Sequence, residues 1–353
     1  MPEDKSLCIT GMGAVSSVGL SAAQTCASIR AGIRRFTEHP YHYSRMDPPF
    51  SGDPAPLTYA PVPFLDPLTK APDRILNMAL APLEDVFKSA RITRADLPLF
   101  GLFLTAPPAI DRIAPVRPDD LFVGEFFRRA AIHPFNTVRI DRSGSAGFYH
   151  ALSAARESIH TQACRFALVG GVDSYLDEES IRHFDDRYRL KSDRNRDGFI
   201  PGEASAFVIV ESAESVKRRN APVLGVIESI HFGNEPQNFI KDQYSSGMGL
   251  TEIFRNIISQ TKRMPEWVLC DLNGESYRGH EWALVRSRLG DEMKDFKHLW
   301  HPAECIGDIR AAGPPLHLIL ACTAFNRGYA PAESCFIFAG DDQGERGGCL
   351  CRA

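Results

Sequence analysis

The stretch Arg196-Asp-Gly-Phe-Ile-Pro-Gly-Glu203, together with Phe166-Ala-Leu-Val-Gly-Gly-Val-Asp-Ser174 before it, decides the fold of this chain. The earlier stretch begins with a continuous apolar run, which is typical of a strand buried on both faces, and Gly170-Gly171 predicts its end. The later stretch leads into a second apolar run at 206–211, which predicts another buried strand. Two buried strands so close in sequence indicate a sheet that is covered by helices.

Strand and helix patterns alternate on both sides of these stretches. A buried strand is predicted at 99–105 and a short, half-buried strand at 137–140, and the helix that follows begins near Ala146. Further patterns predict helices at 73–90, 121–131, 250–260, 280–289 and 314–324, and strands at 223–230, 266–270 and 335–339. This alternation indicates an α/β protein with two similar halves, which we place at 1–214 and 215–353.

Composition and charge exclude several classes of protein. The formal net charge is −4 and no long basic run is present, which argues against nucleic-acid binding. The longest apolar run, 316–325, is too short to cross a bilayer, and the first residues do not resemble a signal peptide. The nine cysteines lack the spacing of a metal site, so we predict free buried thiols. We therefore expect a cytoplasmic protein that binds neither nucleic acid nor membrane and carries no cofactor or metal.

Three stretches of the chain resemble the β-ketoacyl synthases. Leu7-Cys-Ile-Thr-Gly-Met-Gly-Ala-Val15 resembles the opening strand and turn of that family. The stretch at 166–174 resembles the strand after the nucleophile helix, and the stretch at 196–203 resembles the signature RDGF-x-x-GE. The resemblance covers most of the chain. It implies the thiolase-like fold, in which two similar α/β halves form five αβαβα layers about a pseudo-twofold axis.

The segment Arg142-Ser-Gly-Ser-Ala-Gly147 lies where this family carries its nucleophilic cysteine. Alignment on Gly147 places Gly144 at the cysteine position, and glycine has no side chain that could attack a thioester. Ser143 and Ser145 are the neighbouring hydroxyl groups, and a shift of one residue would make either a nucleophile. Because no base is evident nearby in the sequence, we interpret these serines as caps of the following helix.

The two catalytic histidines of the family are also replaced. Alignment on Gly274 places Asn273 at the first histidine, and an amide does not titrate near pH 7. Alignment on Gly307 places Asp308 at the second histidine, where a carboxylate would repel the carboxylate of a malonyl group. His280, seven residues after Asn273, is interpreted as an exposed residue at a helix start.

The glycine-rich loop of the family, G-F-G-G-x-N, appears here as Phe338-Ala-Gly-Asp-Asp-Gln-Gly-Glu345. Four site elements are therefore altered while the structural signatures persist, and the resemblance implies a degenerate member with no catalytic residues. One expectation is a partner of an active ketosynthase, like a chain-length factor, working with an acyl carrier protein. A second is an adaptor near a bacterial type VI secretion effector. The alternative is an acyltransferase or thioester hydrolase that uses Ser145.

The resemblance also implies a dimer, because the family's strand before the nucleophile usually pairs with the partner's copy. In this chain that strand is 137–140, and the segment 136–141 contains neither the prolines nor the lysines that protect exposed strand edges. We expect a homodimer if the protein acts alone and a heterodimer if it serves an active ketosynthase.

Overall fold

The structure of the protein is a computed structural model, which describes residues 6–44, 56–108, 119–193, 195–262 and 264–353. Its strands are β1 (Leu7–Ser16), β2 (Thr37–Tyr43), β3 (Pro56–Tyr59), β4 (Phe100–Thr105), β5 (Thr137–Asp141), β6 (Phe166–Ser174), β7 (Glu203–Glu211), β8 (Gly225–Asn234), β9 (Trp267–Leu269), β10 (His298–Trp300), β11 (Ser334–Gly340) and β12 (Glu345–Arg352). Its helices are α1 (Ala22–Arg30), α2 (Ala71–Leu80), α3 (Leu83–Ser89), α4 (Asp119–Ala130), α5 (Gly144–His160), α6 (Glu178–Asp185), α7 (Ala213–Arg219), α8 (Met248–Thr261), α9 (Ser276–Leu289), α10 (Ala303–Ile306) and α11 (Gly313–Asn326).

Ten strands form one sheet in the order β10-β9-β11-β12-β8-β1-β7-β6-β4-β5. In its first half, β4 lies parallel to β5 and β6, while β7 runs antiparallel to β6 and β1. In its second half, β9 lies parallel to β10 and β11, while β12 runs antiparallel to β11 and β8. The antiparallel pair β1–β8 joins the halves. The two halves therefore repeat one strand order and one set of directions about this central pair.

Helices α5 and α11 form the middle layer of the molecule. Each contacts strands from both halves of the sheet. Every residue from Gly313 to Cys322 is buried, which explains why α11 is apolar on all sides. Helices α2, α3 and α4 cover the outer face of the first half, and α8 and α9 cover that of the second. The layers follow the αβαβα order, which confirms the predicted fold class.

The strand β6 continues through Gly170 and Gly171, so the prediction that it ends there is wrong. Gly171 permits a close approach between two backbone segments, while Gly170 lies against Ala206 and Phe207 of β7. A Cβ atom on Gly171 would lie 2.0 Å from the carbonyl oxygen of Ala311, on the turn that precedes α11. A glycine inside a strand often marks such an approach. Here it brings residues 310–312 against the end of β6.

Two helix predictions differ from the structure. The helix expected at 73–90 is two helices, α2 and α3, with Pro82 directly before the second because proline has no N–H to donate. Helix α9 begins at Ser276, so His280 is not at its start, although the residue is exposed as expected. All nine cysteines are free and buried, which confirms that prediction. Within the described residues, no helix is long and apolar enough to cross a membrane.

Candidate functional site

The turn between β5 and α5 sets the geometry of the site. Gly144 begins α5 with a φ of +56°, in the left-handed region that favours glycine. Its carbonyl oxygen accepts a hydrogen bond from Thr105 Oγ1 at 3.0 Å. A Cβ atom on Gly144 would lie 3.6 Å from Arg310 Cδ and 3.7 Å from Asp341 Cβ, which is ordinary contact. The backbone therefore makes a sharp strand-to-helix turn at the position aligned with the family's cysteine.

Neither serine beside Gly144 caps the helix. Ser143 occupies the N-cap position, but its side chain makes no capping hydrogen bond. Ser145 lies inside the first turn with only 3% of its surface exposed. The capping prediction is therefore wrong. The carboxylate of Asp141 holds the turn instead, since Asp141 Oδ1 accepts a hydrogen bond from Ser143 N at 2.8 Å.

Asn273 and Asp308 contact each other directly. Asn273 Nδ2 donates a hydrogen bond to Asp308 Oδ2 over 2.6 Å. Asn273 Oδ1 accepts from the backbone N–H of Glu275 at 3.1 Å, and Asp308 Oδ1 accepts from that of Arg310 at 2.9 Å. Ser145 lines the same cavity as both residues, and the volume of that cavity is about 20 Å³. The structure therefore brings the residues aligned with the two histidines together beside the turn at Gly144.

The stretch 196–203 positions Asp308. The N–H of Asp308 donates to the carbonyl oxygen of Ile200 at 2.8 Å, and the N–H of Gly202 donates to the carbonyl oxygen of Asp308 at 2.9 Å. A Cβ atom on Gly202 would lie 2.5 Å from the carbonyl oxygen of Ile306, so a larger residue would separate the two segments. This signature is consequently a packing element that fixes one wall of the site.

A buried network of charges surrounds this pair. Arg189 donates to both carboxylate oxygens of Glu275, at 2.6 and 3.0 Å, and to Asp342 Oδ2 at 2.6 Å. Asn273 Nδ2 also donates to Glu275, at 2.9 Å. Burial alone would raise the pKa of Asp342, but Arg189 and its neighbouring guanidinium groups hold that pKa well below its usual range. The network links residue 189 in the first half of the chain to residues 273–275 and 342 in the second.

A second charged group lies at the end of β6. Asp173 is fully buried and accepts hydrogen bonds from the backbone N–H groups of Ser174 and Ala311, at 2.9 and 3.2 Å. Arg310 Nη1 lies 3.9 Å from Asp173 Oδ1. Burial raises the pKa of Asp173 to about 6, and the positive charge of Arg310 limits that rise. This carboxyl group is therefore destabilised in its ionised form near neutral pH.

The structure adds one titratable residue that the sequence interpretation missed. His317, on α11, lines the small cavity together with Ser145. Its side chain is almost completely buried, its Nδ1 has no hydrogen-bond partner, and burial lowers its pKa to about 3. The signal was present in the sequence, since a lone histidine interrupts the apolar run 316–325. At neutral pH this imidazole is uncharged.

The glycine-rich loop of the family is replaced by a tight acidic turn. Asp341 Oδ1 accepts hydrogen bonds from the backbone N–H groups of Gln343, Gly344 and Glu345, at 2.9, 2.8 and 2.9 Å. Burial, together with the charge of Glu345, raises the pKa of Asp341 to about 6. The carboxyl group of Asp341 therefore stabilises the turn that it begins.

The cavity between Ser145, Asn273 and Asp308 leaves little room for chemistry, and the separate cleft of about 710 Å³ that Asn273 also lines is lined by neither Ser145 nor Asp308. A cavity of about 20 Å³ accommodates roughly one water molecule. The carboxylate of Asp308 and the amide of Asn273 satisfy each other. Among the described residues, no group of three or more histidine, cysteine, aspartate or glutamate side chains could hold a metal ion.

Comparison with known families gives a match for part of the chain. Residues 137–215 match the family model of the β-ketoacyl synthase N-terminal domain. A comparison with curated proteins gives no match.

Several solved ketosynthase structures share the fold. One is a type II polyketide synthase acyl-carrier protein in complex with its ketosynthase (AntDE:AntF), with 16% identity, a TM-score of 0.76, and coverage of 98% of this chain and 99% of that chain. A second is the ishigamide ketosynthase/chain length factor, with 15% identity, a TM-score of 0.76, and coverage of 99% of each chain. A third is the ketosynthase from module 6 of the bacillaene synthase of Bacillus subtilis 168, with 13% identity, a TM-score of 0.78, and coverage of 98% of this chain and 72% of that chain. At these identities the likeness establishes the thiolase-like fold.

Proposed function

We propose that this thiolase-fold chain is a ketosynthase-like subunit that does not condense acyl groups and instead acts as the partner of an active ketosynthase. One observation carries the proposal: Asn273 and Asp308, aligned with the two catalytic histidines, are hydrogen-bonded to each other at 2.6 Å. Gly144, aligned with the cysteine, begins the adjacent helix without a side chain. A condensing enzyme needs a nucleophile and groups that stabilise a developing oxyanion at these positions.

The closed geometry of the site supports this reading. An acyl chain of several carbons needs a pocket of hundreds of cubic ångströms, whereas the cavity between Ser145 and Asp308 has a volume of about 20 Å³. The ion pairs of Arg189 with Glu275 and Asp342 occupy the surrounding interior. Opening this region to a substrate would require breaking buried charge pairs, which is costly.

The edge of the sheet supports a partner role. Among the described residues, β5 pairs only with β4 and forms one end of the ten-stranded sheet. Val138 and Ile140 are partly buried, and Arg139 is exposed. An unprotected edge strand is a template for pairing with another chain. The ishigamide match is named as a ketosynthase/chain length factor. In the role of a chain-length factor, this chain would leave the cysteine to its partner ketosynthase.

The charge of Arg139 favours a different partner over a second copy of this chain. An antiparallel pairing of two β5 strands centred on Arg139 would place two guanidinium groups opposite each other, and like charges in that position are unfavourable. A strand with another residue at this position avoids the repulsion. In this proposal an acyl carrier protein binds the complex of the two subunits. An adaptor role beside a secretion effector stays a prediction of the sequence.

The alternative, an acyl transfer through Ser145, now has a candidate base. His317 lines the same cavity and is neutral at physiological pH. A base whose pKa lies near 3 draws a proton from a hydroxyl group poorly, since effective general bases titrate near the working pH. The buried position of Ser145 gives an acyl thioester no route to the hydroxyl. We therefore favour the partner role.

Co-expression with each cysteine-containing ketosynthase of the source organism tests the proposal. We expect an equimolar complex by light scattering, weakened by Arg139→Glu and unaffected by Arg218→Glu, a charge reversal on an exposed arginine of α7. Separate elution of the two proteins at micromolar concentration would count against a partner role with that ketosynthase. A stable homodimer of the isolated chain would count against the preference for a different partner.

A further inference from the structure

Arg310 is a buried cation with unusually few partners. A guanidinium group has five N–H donors, yet the nearest carboxylate oxygen, Asp173 Oδ1, lies 3.9 Å from Nη1. Nη2 is buried and has no hydrogen-bond partner among the residues that the structure describes. The guanidinium carbon lies 4.0 Å from the centre of the Tyr175 ring, and only 11% of the side chain is exposed. A buried donor without a partner costs about 1–3 kcal/mol.

The backbone of Arg310 adds a second, independent sign. Its φ is +38°, in the left-handed region that side chains other than glycine rarely adopt. Such strain persists only where the surrounding structure enforces it, and it clusters at functional sites. The hydrogen bond from Arg310 N to Asp308 Oδ1 at 2.9 Å, and the contact of residue 311 with β6, hold the residue in this conformation.

Arg310 also lines a second and much larger space. This cleft has a volume of about 830 Å³, within the range of small-molecule sites. Its walls come from the β2 strand, the start of α2, the end of β4 and the start of α6. Apolar and ring-bearing side chains form much of the lining, including His39, Tyr41, Leu68, Ile75, Pro107 and Leu176.

The acidic groups of the cleft are largely engaged elsewhere. Asp177 accepts a hydrogen bond from the backbone N–H of Ser180 at 2.9 Å. Glu178 pairs with Arg182 on the outer surface of α6. Glu179 and Lys70 are exposed and carry opposite charges, so they offset each other at the rim. Arg74, the other arginine of the lining, pairs with Glu203 at 2.8 Å, whereas the nearest carboxylate oxygen to Arg310 lies 3.9 Å away. Arg310 is therefore the less neutralised cation in the interior of the cleft.

We propose that this cleft binds a small organic carboxylate with an apolar, ring-containing body, and that the guanidinium group of Arg310 receives the carboxylate. Arginine presents its donors in a fork that matches a carboxylate. A dianionic phosphate fits less well, because Asp173 lies close to the same guanidinium group. The rings and prolines of the walls pack against the body of the ligand. The proposal does not depend on the partner role.

Calorimetry with a matched pair of probes tests the proposal near neutral pH. The probes are 4-phenylbutyrate and 4-phenylbutan-1-ol, which share a body and differ in the carboxylate. We expect the wild-type protein to bind the acid at least about tenfold more tightly, a difference of about 1.4 kcal/mol. Arg310→Met should bring the two affinities together. Lys70→Met, which removes a cation at the rim, should leave the preference for the acid in place.

Three results would overturn the proposal. They are equal binding of the acid and the alcohol to the wild-type protein, no binding of either at millimolar concentration, and an unchanged preference in Arg310→Met. If Arg310→Met does not fold, the wild-type comparison of the two probes still decides, and Arg310→Lys serves as the variant. In that variant the charge stays but the planar fork is lost, so we expect a weaker preference for the acid.

Discussion

Asn273 Nδ2 donates a hydrogen bond to Asp308 Oδ2 at 2.6 Å, and these are the two residues that align with the histidine motifs of the ketosynthases. The two side chains come from segments that are 35 residues apart. Each is further held by a backbone N–H two residues later in its own segment. Because donor and acceptor satisfy each other, neither is free to polarise a thioester. The site is built as a structural junction.

The first prediction concerns the charges around this junction. Arg189→Met should lower the free energy of unfolding by about 3–5 kcal/mol, because it removes the cation from buried Glu275 and from partly buried Asp342. Arg182→Met is the matched control, since Arg182 and Glu178 are both exposed, and we expect a loss below about 1 kcal/mol. Urea denaturation of both variants measures the difference. Equal small losses would show that the buried network does not hold the two halves together.

The second prediction concerns pH. Burial raises the pKa of Asp173 from 3.8 to about 6, so the folded state holds this proton more tightly than the unfolded chain does. As pH rises from about 4 to 6, the wild-type protein should therefore lose stability relative to Asp173→Asn, by roughly 1 kcal/mol per pH unit. Above about pH 6 the difference should stay constant.

Denaturation curves of the two proteins between pH 4.5 and pH 7.5 measure this change. Asp341 and Asp342 are present in both proteins, so their own titrations largely cancel in the comparison. Asp291→Asn, at an exposed position, is the control for the loss of one carboxylate. A difference that does not vary with pH, or one that moves in favour of the wild-type protein as pH rises, would contradict the assignment for Asp173.

The third prediction concerns Ser145. Because Ser145 lies within the first turn of α5 and caps nothing, Ser145→Ala should change the free energy of unfolding by less than about 1 kcal/mol. It should also leave binding to the partner unchanged. The measurements are thermal unfolding and co-purification with the ketosynthase. If wild-type protein hydrolysed or transferred an acyl group and Ser145→Ala abolished that turnover, the enzymatic alternative would replace the partner role.

The fourth prediction concerns the sheet edge. Pairing with a partner should slow amide hydrogen exchange in β5, Thr137–Asp141, because unpaired edge amides gain hydrogen bonds. The opposite edge of the sheet, β10 at His298–Trp300, is the internal control and should not change. Mass spectrometry of the isolated chain and of the complex makes the comparison. If exchange became slower at β10 and stayed unchanged at β5, the interface would lie on the edge opposite to the one proposed.

Apolar patterns of strands and helices predicted a two-part α/β protein, and the resemblance to the β-ketoacyl synthases supplied the five-layered arrangement. Prediction from sequence was less accurate where tertiary contacts determine the ends of strands and helices. Gly170 and Gly171 were interpreted as the end of a strand, but Gly171 permits Ala311 to approach β6, and that contact comes from a segment about 140 residues later. Gly170 lies against Ala206 and Phe207 of β7. Similarly, Pro82 separates two helices where a single kinked one was expected. Local patterns do not contain such long-range packing.

In the candidate site, too, local sequence predicted some features and long-range contacts determine others. Alignment of short motifs selected Asn273 and Asp308, and the structure places them in contact. The roles of Arg189 and Arg310 were not predicted, because a buried ion pair or an unpaired guanidinium group depends on residues from several elements. Ser143 was interpreted as a cap from its residue type, yet its side chain makes no capping hydrogen bond, and the carboxylate of Asp141 stabilises the turn instead. Residue type alone did not reveal which side chain would reach the backbone.

The most direct test of the account is a condensation assay with the isolated protein. The protein is incubated with an acyl thioester and radiolabelled malonyl thioester, and the labelled β-ketoacyl product is measured. With Gly144 at the position of the nucleophile and Asn273 bonded to Asp308, we expect no product above the background without protein, since loss of a catalytic nucleophile costs many orders of magnitude in rate. Labelled product that rises with the concentration of the wild-type protein would contradict the central claim.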